Sequence, residues 1–396
     1  MTATYSVLGK HATTTDPDWQ TRLGAARRAG VRPRCMCTSA GAEMYVATVG
    51  GNKLILKRMP GSGTAHAPSC DSWEPPAELT GLGQVLGAAI EDDGEQTKLK
   101  LGFALSLNGA SRVPATNSEP SDSVAADPTK LSLRGTLHYL WDQSEFARWV
   151  PRMEGKRSWK VVRHYLLEAA RGKTTKGAQF VESLYLPEPY DPARKTELAA
   201  RRARALGSVA DTGTKRKRLL LVIGEVASIT EGRLGHRMVL TEAPDYNFLL
   251  PDDLHARLAR RFAVDLELWA SDEHSRLIVA GTVHVNRSGV PTFQELTLMP
   301  VTQNWIPYES VTEHALLDHL TSQKRSYVKG LRYNLANSKA LASAVLTDTE
   351  PATALYLADS DTTRQAVDDL IAESELPGWI WDARADLPAL PARRGS

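Results

Sequence analysis

The stretch RCMCTSAGAEMYVATVGGNKLILKRMPGSGTAHAPSCDSW, Arg34 to Trp73, holds all three cysteines of this 396-residue chain, and His66 stands four places before the last of them. Cys35 and Cys37 form a C-x-C pair, 28 residues follow, and His66 and Cys70 form an H-x-x-x-C pair. Thiolate and imidazole are the donors that Zn²⁺ prefers, and four of them close a structural tetrahedral site. The intervening segments MYVATV and KLILKR have the composition of strands, and GGN between them has turn chemistry, so a β-hairpin would bring the two pairs together. MPGSGTAHAP then supplies a loop of Gly and Pro that bends sharply enough to set His66 and Cys70 on one ion. The expected cofactor is therefore a structural zinc held by Cys35, Cys37, His66 and Cys70; ordinary buried thiols are the competing reading.

Bulk composition agrees with a soluble multidomain protein. A chain of 396 residues exceeds one ordinary core, and 42% hydrophobic against 24% charged residues is typical of globular chains. A net charge of +2 makes any basic character local. The opening MTATYSVLGKHATTT lacks a basic segment followed by an apolar one, and the apolar run LLLVIG at 219–224 is far too short to cross a bilayer. The expected location is cytoplasmic, with no membrane partner. An odd number of cysteines without a secretory signal argues against a disulfide framework.

KRMPGSGTAHAPSC with the three cysteines, then TGLG, NWIPYES and KGLRYN, resemble the bacterial family catalogued as domain of unknown function 1173, over most of the chain. The resemblance implies an association with plasmids and integrative elements. It implies no activity, because the family has none assigned.

The expected fold class is α+β, in several units. Residues 1–107 read as a zinc-stabilised β-hairpin module, and 108–130, rich in Ser, Pro, Ala and Asp, as a flexible linker. Residues 131–193 read as a helical, winged-helix-like unit: Leu133, Leu137, Leu140 and Trp141 share one helical face, as do Trp159, Val162, Leu166 and Ala170 on a second helix. A basic segment occupies 194–217. An α+β domain spans 218–301, with RLLLVIGEVASI, HRMVLTE, VDLELWAS, SRLIVAGTVHV and TFQELTLMPV as strands and PDDLHARLARRFA as a helix. Residues 302–396 form a C-terminal α/β domain.

Two features bear on function. The second helix of the middle unit carries Lys156, Arg157, Lys160, Arg163 and Arg171 on the face expected to be exposed, and such a helix suits a major groove. Nine cations follow in 25 residues: Arg194, Lys195, Arg201, Arg202, Arg204, Lys215, Arg216, Lys217 and Arg218, against Glu197 and Asp211. A phosphate backbone is the natural partner for such a segment, so DNA is the expected ligand. In the C-terminal domain, an acidic residue on a first helix (Glu313) and another ending a strand (Asp348) are similar in order to a PD-(D/E)xK nuclease, where such carboxylates hold Mg²⁺. The next strand, ALYLAD, lacks the lysine that this chemistry requires, so the domain reads as a degenerate member of that fold.

The expected function is that of a non-catalytic, zinc-containing nucleic-acid-binding accessory protein of bacterial plasmids or integrative elements, with other mobile-element proteins as further partners. A Mg²⁺-dependent nuclease centred on Glu313 and Asp348, and a protein–protein assembly factor, are the alternatives.

Overall fold

The structure, a computed structural model, describes residues 3–49, 53–59, 61–92, 96–108, 127–211, 213, 216–233 and 235–395. The fold is mixed α+β, built from several small sheets around one barrel.

At the N-terminus, β1 (Thr4–Val7) and β2 (Lys10–Thr13) form a hairpin, α1 (Trp19–Arg28) follows, and β3 (Arg34–Cys35), β4 (Ala42–Val49) and β5 (Lys53–Arg58) complete a sheet of order β2-β1-β3-β4-β5. β4 and β5 are the hairpin expected from the sequence, in register from Met44 opposite Arg58 to Val49 opposite Lys53. Its turn, 50–52, lies outside the described residues. Helix α1 covers one side of this sheet by packing Trp19, Leu23 and Ala26 with Val7 and Ala12, against half-buried Val46, Leu54 and Leu56. Each Leu or Val buried in this way contributes about 1.5–3 kcal/mol.

A short α2 (Leu82–Val85) precedes β6 (Ile90–Asp92), β7 (Thr97–Leu99) and β8 (Ser106–Asn108). Most of the expected linker, residues 109–126, lies outside the described residues. Helix α3 (Leu133–Gln143) starts at Ser132, whose Oγ accepts from the Gly135 N–H at 2.9 Å, an N-cap. Next come β9 (Arg148–Trp149), α4 (Trp159–Ala170), β10 (Lys173–Thr175), β11 (Ala178–Gln179) and β12 (Leu184–Tyr185). β10 joins β7 in a sheet of order β11-β10-β7-β6. Helix α5 (Lys195–Gly207) and β13 (Arg216–Arg218), the latter paired with β8, lead into the barrel.

The barrel comprises β14 (Leu220–Gly232), β15 (Gly235–Leu240), β16 (Ala243–Leu250), β17 (Arg276–Val285) and β18 (Pro291–Val301), with α6 (Asp252–Arg261) and α7 (Ala263–Ser271) between β16 and β17. β14 pairs with β17 through Leu220–Glu225 and with β15 through Val226–Gly232, bending at a bulge between Val226 and Ser228. β15 pairs with β16, β16 runs parallel to β18 at Leu249 opposite Thr292, and β18 pairs with β17, which closes the circuit. Met238, Leu240, Phe248, Leu250, Leu277 and Val279 fill the interior, and Leu254, Leu258 and Phe262 close one end.

Two barrel segments differ from the expectation drawn from the sequence. VDLELWAS is helix α7 rather than a strand, and APDYNFLL forms an additional strand, β16. Leu268 of α7 enters one core while Leu266 and Trp269 face another. A helix buried on two sides mimics the alternation of a strand.

The outer face of β14, β17 and β18 is buried: Leu221, Ile223, Ile278, Ala280, Met299 and Val301 join the α3 and α4 residues Leu137, Leu140, Trp141, Trp159, Val162 and Leu166 in one apolar cluster. That cluster also takes in Ile90, Leu99 and Tyr333, so it runs across the unit boundaries drawn from the sequence.

The C-terminal region holds α8 (Val311–Ser322), β19 (Tyr327–Lys329), β20 (Ala344–Leu346), β21 (Thr353–Ala358), α9 (Asp361–Glu373) and β22 (Gly378–Asp382). Its sheet has the order β22-β21-β20-β19-β9, with only β21 and β22 parallel, joined through α9. The edge strand β9 comes from the middle of the chain. No helix among the described residues is long and apolar enough to cross a membrane.

Candidate metal centre

Cys35 ends β3, where the strand is fixed on both sides by pairing with Tyr5 and Ala42. Cys37 lies in the turn that follows, held by the Met36 N–H donating to the Thr4 carbonyl at 2.9 Å. The second pair comes from the loop after β5. A single 3₁₀ turn at Gly63–Ala65 delivers His66, and the Cys70 N–H donates to the Ala67 carbonyl at 2.8 Å. Gly63 is required here, because a Cβ would stand 2.5 Å from the Cβ of Glu74. Arg58, at the end of β5, donates to the Ser72 carbonyl at 3.1 Å and pairs with Glu74, so the hairpin and the His66–Cys70 loop are tied together beside the site.

The four donor atoms lie within 4.8 Å of one another. Cys37 Sγ is 3.4 Å and Cys70 Sγ 3.7 Å from His66 Nδ1, and Cys35 Sγ is 3.7 Å from Cys70 Sγ. A tetrahedron with metal–sulfur bonds of about 2.3 Å and metal–nitrogen bonds of about 2.0 Å has edges of about 3.5–3.8 Å, so the spacing fits one ion. Main-chain N–H groups of Ala67 and Ser72 donate to Cys37 and Cys70 Sγ, each at 3.4 Å, as suits thiolates. His66 and Cys35 are buried, and Cys37 and Cys70 half-buried.

Crowding polarises the thiols. The hydrogen bond from Cys35 draws the Cys70 thiol down to about 3, against burial and with help from His66. The same hydrogen bond, then burial, pushes Cys35 far above the ordinary thiol range, and burial raises Cys37. Burial, followed by the charges of Cys35 and Cys70, lifts neighbouring Tyr5 to about 12. The protein itself thus favours one thiolate; a dication held by these four donors would let all three sulfurs ionise. The cluster can hold a metal ion, and its donor set is one that zinc accepts.

Over residues 5–384 the chain matches the family described as Protein of unknown function (DUF1173). The chain belongs to that family. No curated protein and no solved structure matches it.

NWIPYES and KGLRYN meet at a polar hub that runs from the surface into the core. Arg332 pairs with Glu309 at 2.7 Å, the Tyr333 hydroxyl donates to Asp142 at 2.9 Å, and the Tyr333 N–H donates to His138 Nδ1 at 3.0 Å. Asn334 accepts from the N–H and hydroxyl of Ser132 at 3.0 and 2.9 Å. Burial lowers His138 to about 3 and raises Asp142 to about 6. TGLG joins the same region: Gly81 sits where a Cβ would fall 1.9 Å from the Arg332 carbonyl oxygen, a backbone approach open only to glycine.

The two C-terminal carboxylates occupy separate surroundings. Glu313 lies in the first turn of α8, where its N–H donates to Ser310 Oγ at 3.1 Å and its carboxylate accepts from the Glu309 N–H at 2.7 Å, a capping box with its return arm one residue early. Its other oxygen is 3.0 Å from Lys329 Nζ, and both side chains are buried. Asp348 receives two bonds from Arg325, both 2.9 Å, and one from the Ser326 N–H at 3.0 Å. Among the described residues, neither belongs to a group of three or more candidate metal ligands.

The basic residues divide similarly. Arg157 is turned inward, donating to the carbonyls of Phe146 and Asn304 at 3.1 and 3.0 Å and lying over the rings of Phe146 and Trp149. Arg202 is buried against Asp245 at 3.0 Å and over Tyr246. Arg163 donates to the Leu186 carbonyl at 3.1 Å; Arg171 pairs with Glu168, Arg194 and Arg201 with Glu197, and Lys217 with Asp211. Lys156, Lys160, Lys195, Arg204 and Arg218 are exposed and have no ionic partner among the described residues. Lys215 and the side chain of Arg216 lie outside the described residues.

Proposed function

We propose that this chain is a non-catalytic, zinc-containing nucleic-acid-binding protein, with DNA as its partner. The observation that carries the reading is the set of cations left, among the described residues, without a partner around two neighbouring helices: α4 and α5 border one cleft of about 210 Å³ whose own arginines, Arg163, Arg201 and Arg202, are held by the Leu186 carbonyl, Glu188 and Asp245, so the cations free for a ligand lie outside it. The unpaired cations Lys156, Lys160, Lys195 and Arg204 belong to or adjoin the same two helices. Exposed cations of this kind suit a polyanion, whose affinity comes from counterion release. The zinc is structural in this reading, since four protein donors fill its coordination and leave no position for substrate. Absence of catalysis is supported by the way Glu313 and Asp348 are each neutralised by their own cation, which leaves no carboxylate pair for Mg²⁺. Association with mobile-element proteins through the exposed faces of the same helices belongs to this reading as well.

Metal analysis of the native protein beside Cys35→Ser and His66→Ala tests the zinc: about one ion per chain is expected, lost in both variants. Binding to labelled DNA at low salt tests the partner. Affinity should fall steeply with salt and drop in Lys195→Glu/Arg204→Glu protein. Failure to bind any nucleic acid at low salt would reject the reading.

A further inference from the structure

The barrel has a connectivity that identifies its open face. Numbered along the chain as strands one to five, β14, β15, β16, β17 and β18 close in the order 1-2-3-5-4-1, with the third and fifth parallel and the helices α6 and α7 inserted between the third and fourth. This is the connectivity of the OB fold, which takes oligomeric ligands on the face of strands two and three, flanked by the loops joining strands one and two and strands four and five. The remainder of this barrel's exterior, on β14, β17 and β18, is buried beneath α3 and α4. The face of β15 and β16 is open.

Fold alone does not name a ligand. Charge and exposure select one here. Along β15 and β16 the inward residues Met238, Leu240, Phe248 and Leu250 are buried, whereas Arg237 and Asn247 point outward and are exposed. Arg237 stands opposite Leu249 and Val239 opposite Asn247, so two half-buried aliphatic side chains lie between the polar ones on that face. Arg233 in the first flanking loop and Arg237 on the face have no ionic partner among the described residues. The second flanking loop carries Arg287, whose side chain is 79% exposed. Of the acids nearby, Asp245 is held by Arg202, Asp211 by Lys217 and Arg287, and Asp252 lies 3.6 Å from His236 at the start of β15, while Glu231 is exposed. A row of arginines across both loops and the face, alternating with small apolar surface, suits a phosphodiester backbone laid along the strands with its bases against the sheet.

We infer that the β15–β16 face, with Arg233, Arg237 and Arg287, binds single-stranded nucleic acid. The inference rests on the nucleic-acid reading above and adds the strandedness of the ligand and the surface that takes it. A single strand can follow the curved sheet face between the two loops, whereas a duplex is a wide, stiff cylinder that a two-strand face does not match. With no aromatic side chain exposed on the face, stacking contributes little, and binding is expected to depend on phosphate contacts more than on base identity.

The experiment is fluorescence anisotropy on the full chain with a labelled oligothymidylate and a labelled duplex of equal length, using wild type, Arg233→Glu/Arg237→Glu and Lys195→Glu/Arg204→Glu. The expected result is tighter binding of the single strand, weakened about tenfold or more by the barrel pair, with a smaller loss in the helix pair. Near-UV circular dichroism of each variant confirms its fold; since Arg233 and Arg237 are exposed, Arg237→Gln serves as a milder second variant. Equal affinity for both ligands, or a barrel variant that binds as wild type while the helix variant loses affinity, overturns the inference and leaves the broader reading standing. Absence of binding to either ligand overturns both.

Discussion

The cysteine–histidine cluster at the N-terminus and the two carboxylates at the C-terminus are both collections of metal-ligand chemistry, and they differ in how their charge is balanced. Around Cys35, Cys37, His66 and Cys70 no cationic side chain among the described residues pairs with a sulfur; the donors face one another and main-chain N–H groups. Glu313 and Asp348 each face a dedicated cation, Lys329 and Arg325. Four donors that face one another without a side-chain cation form a set that a metal ion can complete, whereas a carboxylate with its own cation is complete as it stands. Residue type alone does not separate the two cases, since both stretches read as ligand sets.

Removing the proposed metal should produce the largest effect. Chelation, or Cys35→Ser, is expected to release the ion and destabilise the N-terminal sheet by several kcal/mol or more, given apparent binding energies of about 10–16 kcal/mol for structural zinc in small modules. The effect should spread beyond that sheet, because Cys70 packs against the C-terminal core and Trp73, three residues on, is buried within it beside Leu79, Val328 and Tyr356. Limited proteolysis with and without chelator checks this: cleavage confined to residues before Cys70 would show that the metal does not couple the two regions.

The next effect sharpens the other side of the comparison. Lys329→Met leaves the buried Glu313 carboxylate unpaired and is expected to cost about 3–5 kcal/mol, while Lys329→Met/Glu313→Leu should recover much of that loss. Denaturant unfolding of the single and double variants measures both. A single variant as stable as wild type would mean that Glu313 does not depend on Lys329 for its charge balance.

The tetrad was legible because its chemistry is local: four donors within 36 residues, separated by a hairpin whose strands carry their own pattern. The C-terminal strands and helices were legible for the same reason, as Ser310 and Glu313 mark the start of α8 and apolar runs mark β19, β20 and β21. What escaped depends on distance along the chain. Arg157 has the look of an exposed helix cation, and only the folded chain turns it onto the Phe146 and Asn304 carbonyls. The barrel's closure requires β14 to pair with β17 some sixty residues away, and its third strand, APDYNFLL, carries Pro, Asp and Asn that mask the pattern. Helix α1 leaves a weak mark in the sequence because its apolar face is narrow, only Trp19, Leu23 and Ala26 being buried.

A smaller effect comes from His138, which is buried and neutral because burial lowers it to about 3 from an ordinary 6.5. Its folded form binds fewer protons than its unfolded form between those values. It therefore costs stability as pH falls from about 6.5 towards 3, at up to about 1.4 kcal/mol per pH unit. His138→Gln retains an acceptor for the Tyr333 N–H and removes the titration. Its stability should fall less steeply than that of wild type over this window, as followed by urea unfolding at several pH values. Parallel slopes would mean that His138 does not titrate between the two states.

The smallest effect bears most directly on what Glu313 is for. Ser310→Ala removes the oxygen that accepts the Glu313 N–H and should cost about 1 kcal/mol, as helix N-caps do. That loss should be the same with and without millimolar Mg²⁺, since a cation stabilises a fold only through sites it occupies in the native state. Were Glu313 and Asp348 a magnesium site, wild type would gain stability with Mg²⁺ and both Glu313→Gln and Asp348→Asn would abolish the gain. With each carboxylate held by its own cation, thermal melts of wild type should superimpose in the presence and absence of the ion. The cap variant is the internal standard for that comparison, because it perturbs the same turn of α8 without changing any charge, and so calibrates how small a shift the melts resolve.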